Sequence, residues 1–230
     1  MTDRILLDEV DSTMAEAARR AGDLAGPTWI LAKRQSAGKG RRGRPWSMGE
    51  GNFAATLVMP ADVRDAALRS FTASLALYDT FEALGVRGLS LKWPNDVLLK
   101  GGKVAGILLE MHAHRLAIGI GINLAHAPGA ADVEPDALTP VTLGVDTDPE
   151  EVLDLLLPQF DAWEARYQVQ GFEPLRTAWL ARAARLGEVI RARTVTEEHH
   201  GTFESIDNEG RLVLSTARGP VSIAAADVFF

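Results

Sequence analysis

Apolar side chains recur at steps of three and four between residues 62 and 84: Leu68, Phe71, Leu75, Tyr78, Phe81 and Leu84. That spacing lines one face of a helix and predicts an amphipathic helix over 62–84. Upstream, residues 4–10, 28–33 and 52–59 read as strands. Between the first two, Ser12 or Thr13 opens a short helix, with Thr13-x-x-Glu16 as its capping box. Downstream, 89–93 is strand-like and is broken by Pro94. Segments 97–99 and 104–111 flank Gly101-Gly102, which reads as a hairpin turn. A strand over 116–124 is punctuated by Gly119 and Gly121.

Residues 125–146 read as a loop with one short strand. Asp148 then caps a helix whose first turn holds Pro149. A second helix follows Pro174 and carries Leu175, Trp179 and Leu186. From Gly187 the texture changes to short β-like runs at 189–192, 201–206, 211–215 and 221–224. Asn208-Glu209-Gly210 and Arg218-Gly219-Pro220 supply turns between them. Strands, then helices, then strands argue an α+β fold. The shift in texture divides it into residues 1–186 and a small all-β module at 187–230.

Composition narrows the function. At 230 residues, with 47% hydrophobic and 24% charged side chains, the chain has the make-up of a globular protein. The absence of cysteine excludes disulfides, thiolate zinc sites, iron–sulfur clusters and a Cys nucleophile. Asp8, Glu9 and Asp11 stand where a signal peptide would be basic and then apolar. No apolar run approaches the ~20 residues of a membrane helix. The expectation is a cytoplasmic protein with no membrane partner. The net charge of −7 also counts against a general nucleic-acid binder. Residues 33–44 nevertheless carry six basic side chains and no acid. A cationic loop in an acidic chain points to a small anionic ligand.

That loop contains Gly38-Lys39-Gly40-Arg41-Arg42-Gly43, which matches G-x-G-x-x-G. A dinucleotide site needs a helix directly after this pattern, and Arg44-Pro45-Trp46 follows instead. A P-loop needs Ser or Thr after Gly-Lys, and Gly40 stands there. What remains is a loop with backbone N–H groups and cations suited to phosphate oxygens, next to an indole able to stack on a base. Its bland counterpart is a solvated basic loop. Other segments also have bland readings. Asp11-Ser12-Thr13 can be a helix cap, Pro94-Asn95-Asp96 a turn, Lys103 an edge-strand charge, and Gly119-Ile120-Gly121-Ile122-Asn123 a closely packed strand. His112-Ala113-His114 and His199-His200 lack acidic or Cys partners at metal-site spacing.

Taken together, the order and spacing of these segments resemble the bacterial biotin protein ligases. The matching pieces are Asp11-Ser12-Thr13, the run from Gln35 to Trp46, Lys92-Trp93-Pro94-Asn95-Asp96, Lys103-Val104-Ala105-Gly106-Ile107-Leu108 and Gly119-Ile120-Gly121-Ile122-Asn123-Leu124. The resemblance implies a mixed sheet with helices packed on one face, followed by a small C-terminal SH3-like β-barrel. It implies ATP-dependent formation of biotinyl-5′-AMP and transfer of biotin to a lysine of a biotin carboxyl carrier protein domain. That domain would belong to acetyl-CoA carboxylase or another biotin-dependent carboxylase. It leaves no room for the N-terminal DNA-binding domain of some members, so no repressor function is expected. A homodimer through sheet edges is compatible with the family.

Site roles follow from the same resemblance. Ser12, Thr13 and Gln35 are expected on the biotin ureido ring, with Met14 beside them where the family often has Asn. Lys39, Gly40 and Arg41 would lie along the carboxylate and phosphate, Lys39 standing where Arg is frequent. Lys103 would sit between the biotin carboxylate and the α-phosphate as the main charge stabiliser. Arg42, Arg44 and Trp46 are expected on ATP, while Asn95, Asp96 and Asn123 would orient ATP and Mg2+. The metal would be carried mainly by the phosphates. Lys103, Arg41 and Asp96 form the expected catalytic set. The rival enzyme reading is a lipoate or octanoate ligase. Outside that fold, a nucleic-acid module using 33–44 or a biotin-storing protein without catalysis are the alternatives.

Overall fold

A computed structural model describes residues 2–129, 133 and 137–230. Seven strands form the first sheet: β1 (Asp3–Val10), β2 (Thr28–Gln35), β3 (Phe53–Pro60), β4 (Leu89–Lys92), β5 (Asp96–Leu99), β6 (Gly102–His112) and β7 (Arg115–Ile122). Their order is β1-β2-β3-β7-β6-β5-β4. Only β1 and β2 run parallel, joined through helix α1 (Thr13–Arg20), so the sheet is mixed as expected.

Sequence alternation decides what each face meets. In β7, Ile118, Ile120 and Ile122 enter the main core, and Ala117 lies on the opposite face. Helices α2 (Arg69–Ala83), α3 (Pro149–Gln170) and α4 (Glu173–Leu180) pack together on the Ile side. The short α1 is the exception to a single helical face. Its Met14, Ala17 and Ala21 pack with Ile30, Val58 and Ala117 on the other side.

Local differences from the sequence expectations have identifiable causes. The long helix starts at Arg69, because Asp62 accepts the Arg64 backbone N–H and holds a turn, after which Ala66–Leu68 is a 3-10 segment. Ser12 sits at the N-cap of α1 without a side-chain cap, and no Thr13–Glu16 box forms. Glu16 bonds Arg19 and Arg20 instead, at 2.7 and 2.5 Å. The hairpin turn is Lys100-Gly101, both at positive φ (50° and 84°), and Gly102 already pairs with Leu99. Two left-handed residues make the turn whose twist suits a hairpin. The expected cap at Asp148 does form, with Glu151 completing the box. The second helix ends at Leu180, and Leu186 lies beyond it, exposed. The short strand expected within 125–146 is absent among the described residues. Its place is taken by a single bridge between Lys103 and Pro140.

The C-terminal region forms a second sheet from β8 (Val189–Arg193), β9 (Glu198–Ile206), β10 (Leu212–Thr216), β11 (Gly219–Ile223) and β12 (Asp227–Phe229). All neighbours are antiparallel, in the order β11-β10-β9-β8-β12. No ladder joins β11 to β12, so the closed barrel of the expectation is an open five-stranded sheet. One apolar core runs through both sheets. Trp179 meets Phe71 and Phe203 edge-on, at centroid distances of 5.4 and 6.5 Å. The Trp93 indole donates to Gly210 O at 2.9 Å, giving the buried ring the partner its N–H requires.

One buried cation holds α2 to α3. Arg69 is 3% exposed and contacts Glu164 and Asp65 at 3.0 Å each. Burial alone would favour losing its charge, but the two carboxylates outweigh it. Tyr167 donates to Asp65, and burial with that bond pushes the phenol up to about 12. Removing only the cation would leave the carboxylates unpaired. Arg69→Ala should therefore destabilise the chain by about 3–5 kcal/mol, read as a lower urea midpoint at neutral pH. An unchanged midpoint would show the cluster to be energetically neutral.

Candidate functional site

The face opposite the isoleucines of β7 is stripped of side chains. Gly119 and Gly121 alternate with Ile118, Ile120 and Ile122, and Gly106 of β6 pairs directly with Gly121. A Cβ at Gly121 would lie 2.4 Å from the Trp46 indole, and one at Gly119 would lie 2.6 Å from Met14 Sδ. At Gly106 a Cβ would press on Lys103 and Trp46 at 3.2 Å. These glycines are what let Met14, Trp46 and Lys103 lie flat on the sheet. Above them opens a cavity of about 390 Å³.

One end of the cavity is neutral and hydrogen-bonding. Ser12 and Thr13 are each 3% exposed, at the start of α1. Gln35 Oε1 accepts from Thr13 N at 2.8 Å and Thr13 Oγ1 at 3.2 Å, and Thr56 Oγ1 donates to Thr13 Oγ1 at 2.9 Å. This chain fixes the Gln35 amide with its Nε2 donor left for a ligand. The capping account of Ser12 and Thr13 therefore fails, because both side chains serve the cavity wall.

The other end is cationic. Lys39, Arg41, Arg44, Lys92 and Lys103 all line it. Lys103 reaches it through a break in register. β5 pairs Val97 with Ala105 but Leu98 with Lys103, so Val104 is an extra residue. Strict alternation from Gly106 would aim Val104 at the cavity. The bulge instead sends Val104 and Ala105 both into the core and turns Lys103 to the site. Lys103 Nζ lies 2.7 Å from Asp96 Oδ1, and Lys92 Nζ lies 3.8 Å from Oδ2. Burial opposes ionisation of Asp96, yet the two ammoniums outweigh it and hold its carboxyl below the usual range. Burial draws Lys92 down, with Asp96 opposing.

The basic loop closes on itself. Trp46 N donates to Gly38 O at 2.9 Å and Gly40 N to Arg44 O at 2.7 Å. The Arg41 guanidinium donates to Asn95 Oδ1 at 3.3 Å, and Asn95 in turn donates to Ile107 O at 2.7 Å. Burial lowers the pKa of Arg41, with Asp227 and Asp96 opposing, and a guanidinium in that setting stays charged. Asn123 is buried and donates to Lys103 O at 3.4 Å, bracing the strand that carries the lysine. Trp46 Nε1 is buried without a hydrogen-bond partner.

The structure thus gathers Ser12, Thr13, Met14, Gln35, Lys39, Gly40, Arg41, Arg44, Trp46, Asn95, Asp96, Lys103 and Asn123 around one cavity. Arg42 is the exception, and its guanidinium lies on Asp227 at 2.6 Å. Sequence reasoning missed the wall formed by Asp227, Val228 and Phe229, which β12 brings in from the second sheet. A three-residue strand at the end of a chain has no periodicity to announce it.

A family model described as the biotin/lipoate A/B protein ligase family matches residues 6–124, and one for the biotin protein ligase C-terminal domain matches 186–230. The chain is 53% identical to the biotin–[acetyl-CoA-carboxylase] ligase of Paracoccus denitrificans, over 98% of this chain and 99% of that protein. It is 32% identical to the bifunctional ligase/repressor BirA of Bacillus subtilis, over 96% of this chain and 72% of that one. Among solved structures, the biotin protein ligase of Aquifex aeolicus in complex with biotin and ATP superimposes with a TM-score of 0.87. The identity there is 26%, covering 98% of this chain and 97% of that one.

The glycine floor makes a direct prediction. Gly121→Ala should dislodge Trp46 and shift the tryptophan emission, and the same substitution in a Trp46→Phe background should leave the emission unmoved. An unshifted spectrum in both would mean that Trp46 does not rest on Gly121.

Proposed function

The chain belongs to the biotin/lipoate A/B protein ligase family, and from that premise we infer that it joins biotin to a protein lysine in two ATP-dependent steps. A free carboxylate does not acylate an amine at neutral pH, since its leaving group would be oxide. In the first step a biotin carboxylate oxygen attacks the α-phosphorus, and the bond to the bridging oxygen breaks, giving biotinyl-5′-AMP and pyrophosphate. In the second, a neutral lysine nitrogen of the biotin carboxyl carrier protein attacks the acyl carbon. AMP leaves and the nitrogen releases a proton.

The observation that carries this reading is the two-ended cavity, neutral and hydrogen-bonding at Ser12, Thr13 and Gln35, cationic at Lys39, Arg41, Arg44 and Lys103. A buried ureido group needs each polar atom paired, which the neutral end supports. Negative charge builds on the phosphoryl oxygens and departing pyrophosphate in the first step, and on the acyl oxygen and departing AMP in the second. Cations already in place stabilise it without reorganisation. We assign Lys103 to that charge and Asp96 to holding Lys103. A carboxylate kept ionised between two ammoniums is a poor base. Trp46 would pack against the nucleotide, its unpaired indole N–H available to an oxygen. Met14 over Gly119 would form the apolar floor beneath biotin. Mg2+ would arrive on the phosphates, because Asp96 and Asp227 are both committed to cations.

Most cations of residues 33–44 already have partners within the chain. Arg41 faces Asn95, Arg42 and Arg44 face Asp227, while Lys33 pairs with Asp8 at 3.1 Å and Arg34 with Glu9. That arrangement speaks for a small anion rather than a nucleic-acid backbone. We propose the cytoplasm as the compartment, where ATP and carboxylase carrier domains meet. Among the described residues no helix is long and apolar enough to cross a membrane. A sheet-edge homodimer would use β1, since β4 is bridged at Leu91 by Ala183.

Pyrophosphate release with Mg-ATP should require biotin, and a carrier domain added to the assay should gain one biotinyl group by mass. Release with lipoate or octanoate alone would overturn the substrate. Lys103→Ala should lower adenylate formation by about 10²–10³-fold while the melting curve stays cooperative. A variant keeping most of its pyrophosphate release would remove Lys103 from that role.

A further inference from the structure

Asp227 lies in β12, on the second sheet, and its carboxylate is 11% exposed. Two guanidiniums of the basic loop converge on one of its oxygens. Arg42 Nη1 reaches Oδ2 at 2.6 Å and Arg44 Nη2 at 2.9 Å. The neighbouring Ala226 carbonyl accepts from Arg41 at 3.4 Å. Two acceptor atoms on adjacent residues, Ala226 O and Asp227 Oδ2, therefore hold the three arginines of the loop.

The strand itself is clamped. It pairs with β8, Asp227 opposite Arg193, and the Phe229 ring lies under Arg191 and Arg193 at 4.4 and 4.6 Å. The loop, by contrast, is tied only at its neck. Backbone bonds and the Lys39–Pro45 bridge close it there, while at its tip Arg42 sits at φ 57°, a left-handed conformation that disfavours a side chain. Arg42 does not line the cavity, so contact with the ligand does not account for its orientation. Asp227 does account for it.

We propose that Asp227 is a positioning residue for the adenylation step, latching the loop 38–46 onto the second sheet so that Arg41 and Arg44 face the nucleotide. The C-terminal sheet is then a working wall of the site. A guanidinium carries more N–H donors than a single bond to a carboxylate uses. The latch orients the forks and closes the wall over the adenylate. Without it the loop opens, the nucleotide loses its aligned cations, and biotinyl-AMP escapes before a carrier arrives. The biotin ureido ring is held at the other end of the cavity, on Ser12, Thr13 and Gln35, so most of its binding does not depend on the latch.

The inference rests on the adenylate reading of the site, so its test combines one measurement without turnover and one with it. Full-length Asp227→Asn and Asp227→Glu are compared with the parent chain. Trypsin cleavage after Lys39, Arg41 and Arg42 is followed on protein alone, then with biotin and α,β-methylene-ATP. Asp227→Asn should be cut about tenfold faster, and Asp227→Glu should restore protection. In pyrophosphate release, Asp227→Asn should raise the KM for ATP about tenfold, leave the KM for biotin within about twofold, and leak biotinyl-AMP when no carrier is present. Wild-type protection of the loop in Asp227→Asn would overturn the latch whatever the enzyme's substrate. Faster cutting with an unchanged or lower KM for ATP would overturn the positioning role, showing that Asp227 restrains the arginines instead. Equal rises in both KM values, or a loss of the cooperative melt, would reduce Asp227 to a fold contact and also overturn the proposal. Faster cutting in a chain that shows no biotin-dependent release would keep the latch and fell only the adenylate reading.

Discussion

The alternation of isoleucine and glycine in β7 is the constraint on which the rest of the site depends. One strand must do two incompatible jobs, packing tightly against α2 on one face and leaving room for a ligand on the other. Period-two geometry allows both at once. Ile118, Ile120 and Ile122 anchor the core, and Gly119 and Gly121 let Met14 and Trp46 approach the backbone. The cross-strand partner Gly106 extends the bare patch onto β6. A single methyl on this face would collide with a side chain that shapes the cavity, so site and core are two sides of one strand.

Charge in the cavity is arranged by the same economy of burial. An isolated buried ion is strongly disfavoured, and each carboxylate here is answered by two cations. Asp96 answers Lys103 and Lys92, and Asp227 answers Arg42 and Arg44. The net field left over is positive, which is what an incoming triphosphate and a carboxylate require. Pairing also fixes geometry. A lysine held at 2.7 Å by Asp96 needs little motion to meet developing charge, which is where preorganisation lowers a barrier.

The second sheet shares its core with the first through Trp93, Trp179 and Phe203. Sharing a core makes its position against the catalytic sheet definite. That is why a strand as short as β12 can supply a cavity wall and an anchor for the loop. Such a wall would be useless on a domain free to rotate.

Much of this was legible in the order of residues. Helix α2 followed from its apolar stripe, the cap of α3 from Asp148-Pro149-Glu150-Glu151, and the sheet strands from alternation, because periodicity and caps are local properties. The motif spacings also brought out thirteen of the residues that line the cavity. What sequence alone misread was whatever depends on a distant partner. Ser12 and Thr13 look like a cap, but Gln35 and Thr56 claim the Thr13 hydroxyl, and the Ser12 side chain caps nothing. Lys103 looks like an edge charge, and only the bulge opposite β5 turns it inward. Arg42 looks like a phosphate ligand, and Asp227, 185 residues away, takes it. The sequence by itself determined the elements and the chemistry they carry, since both are written in neighbouring residues. Tertiary structure decided which face each side chain serves and which charge it meets, since those follow from register and long-range packing.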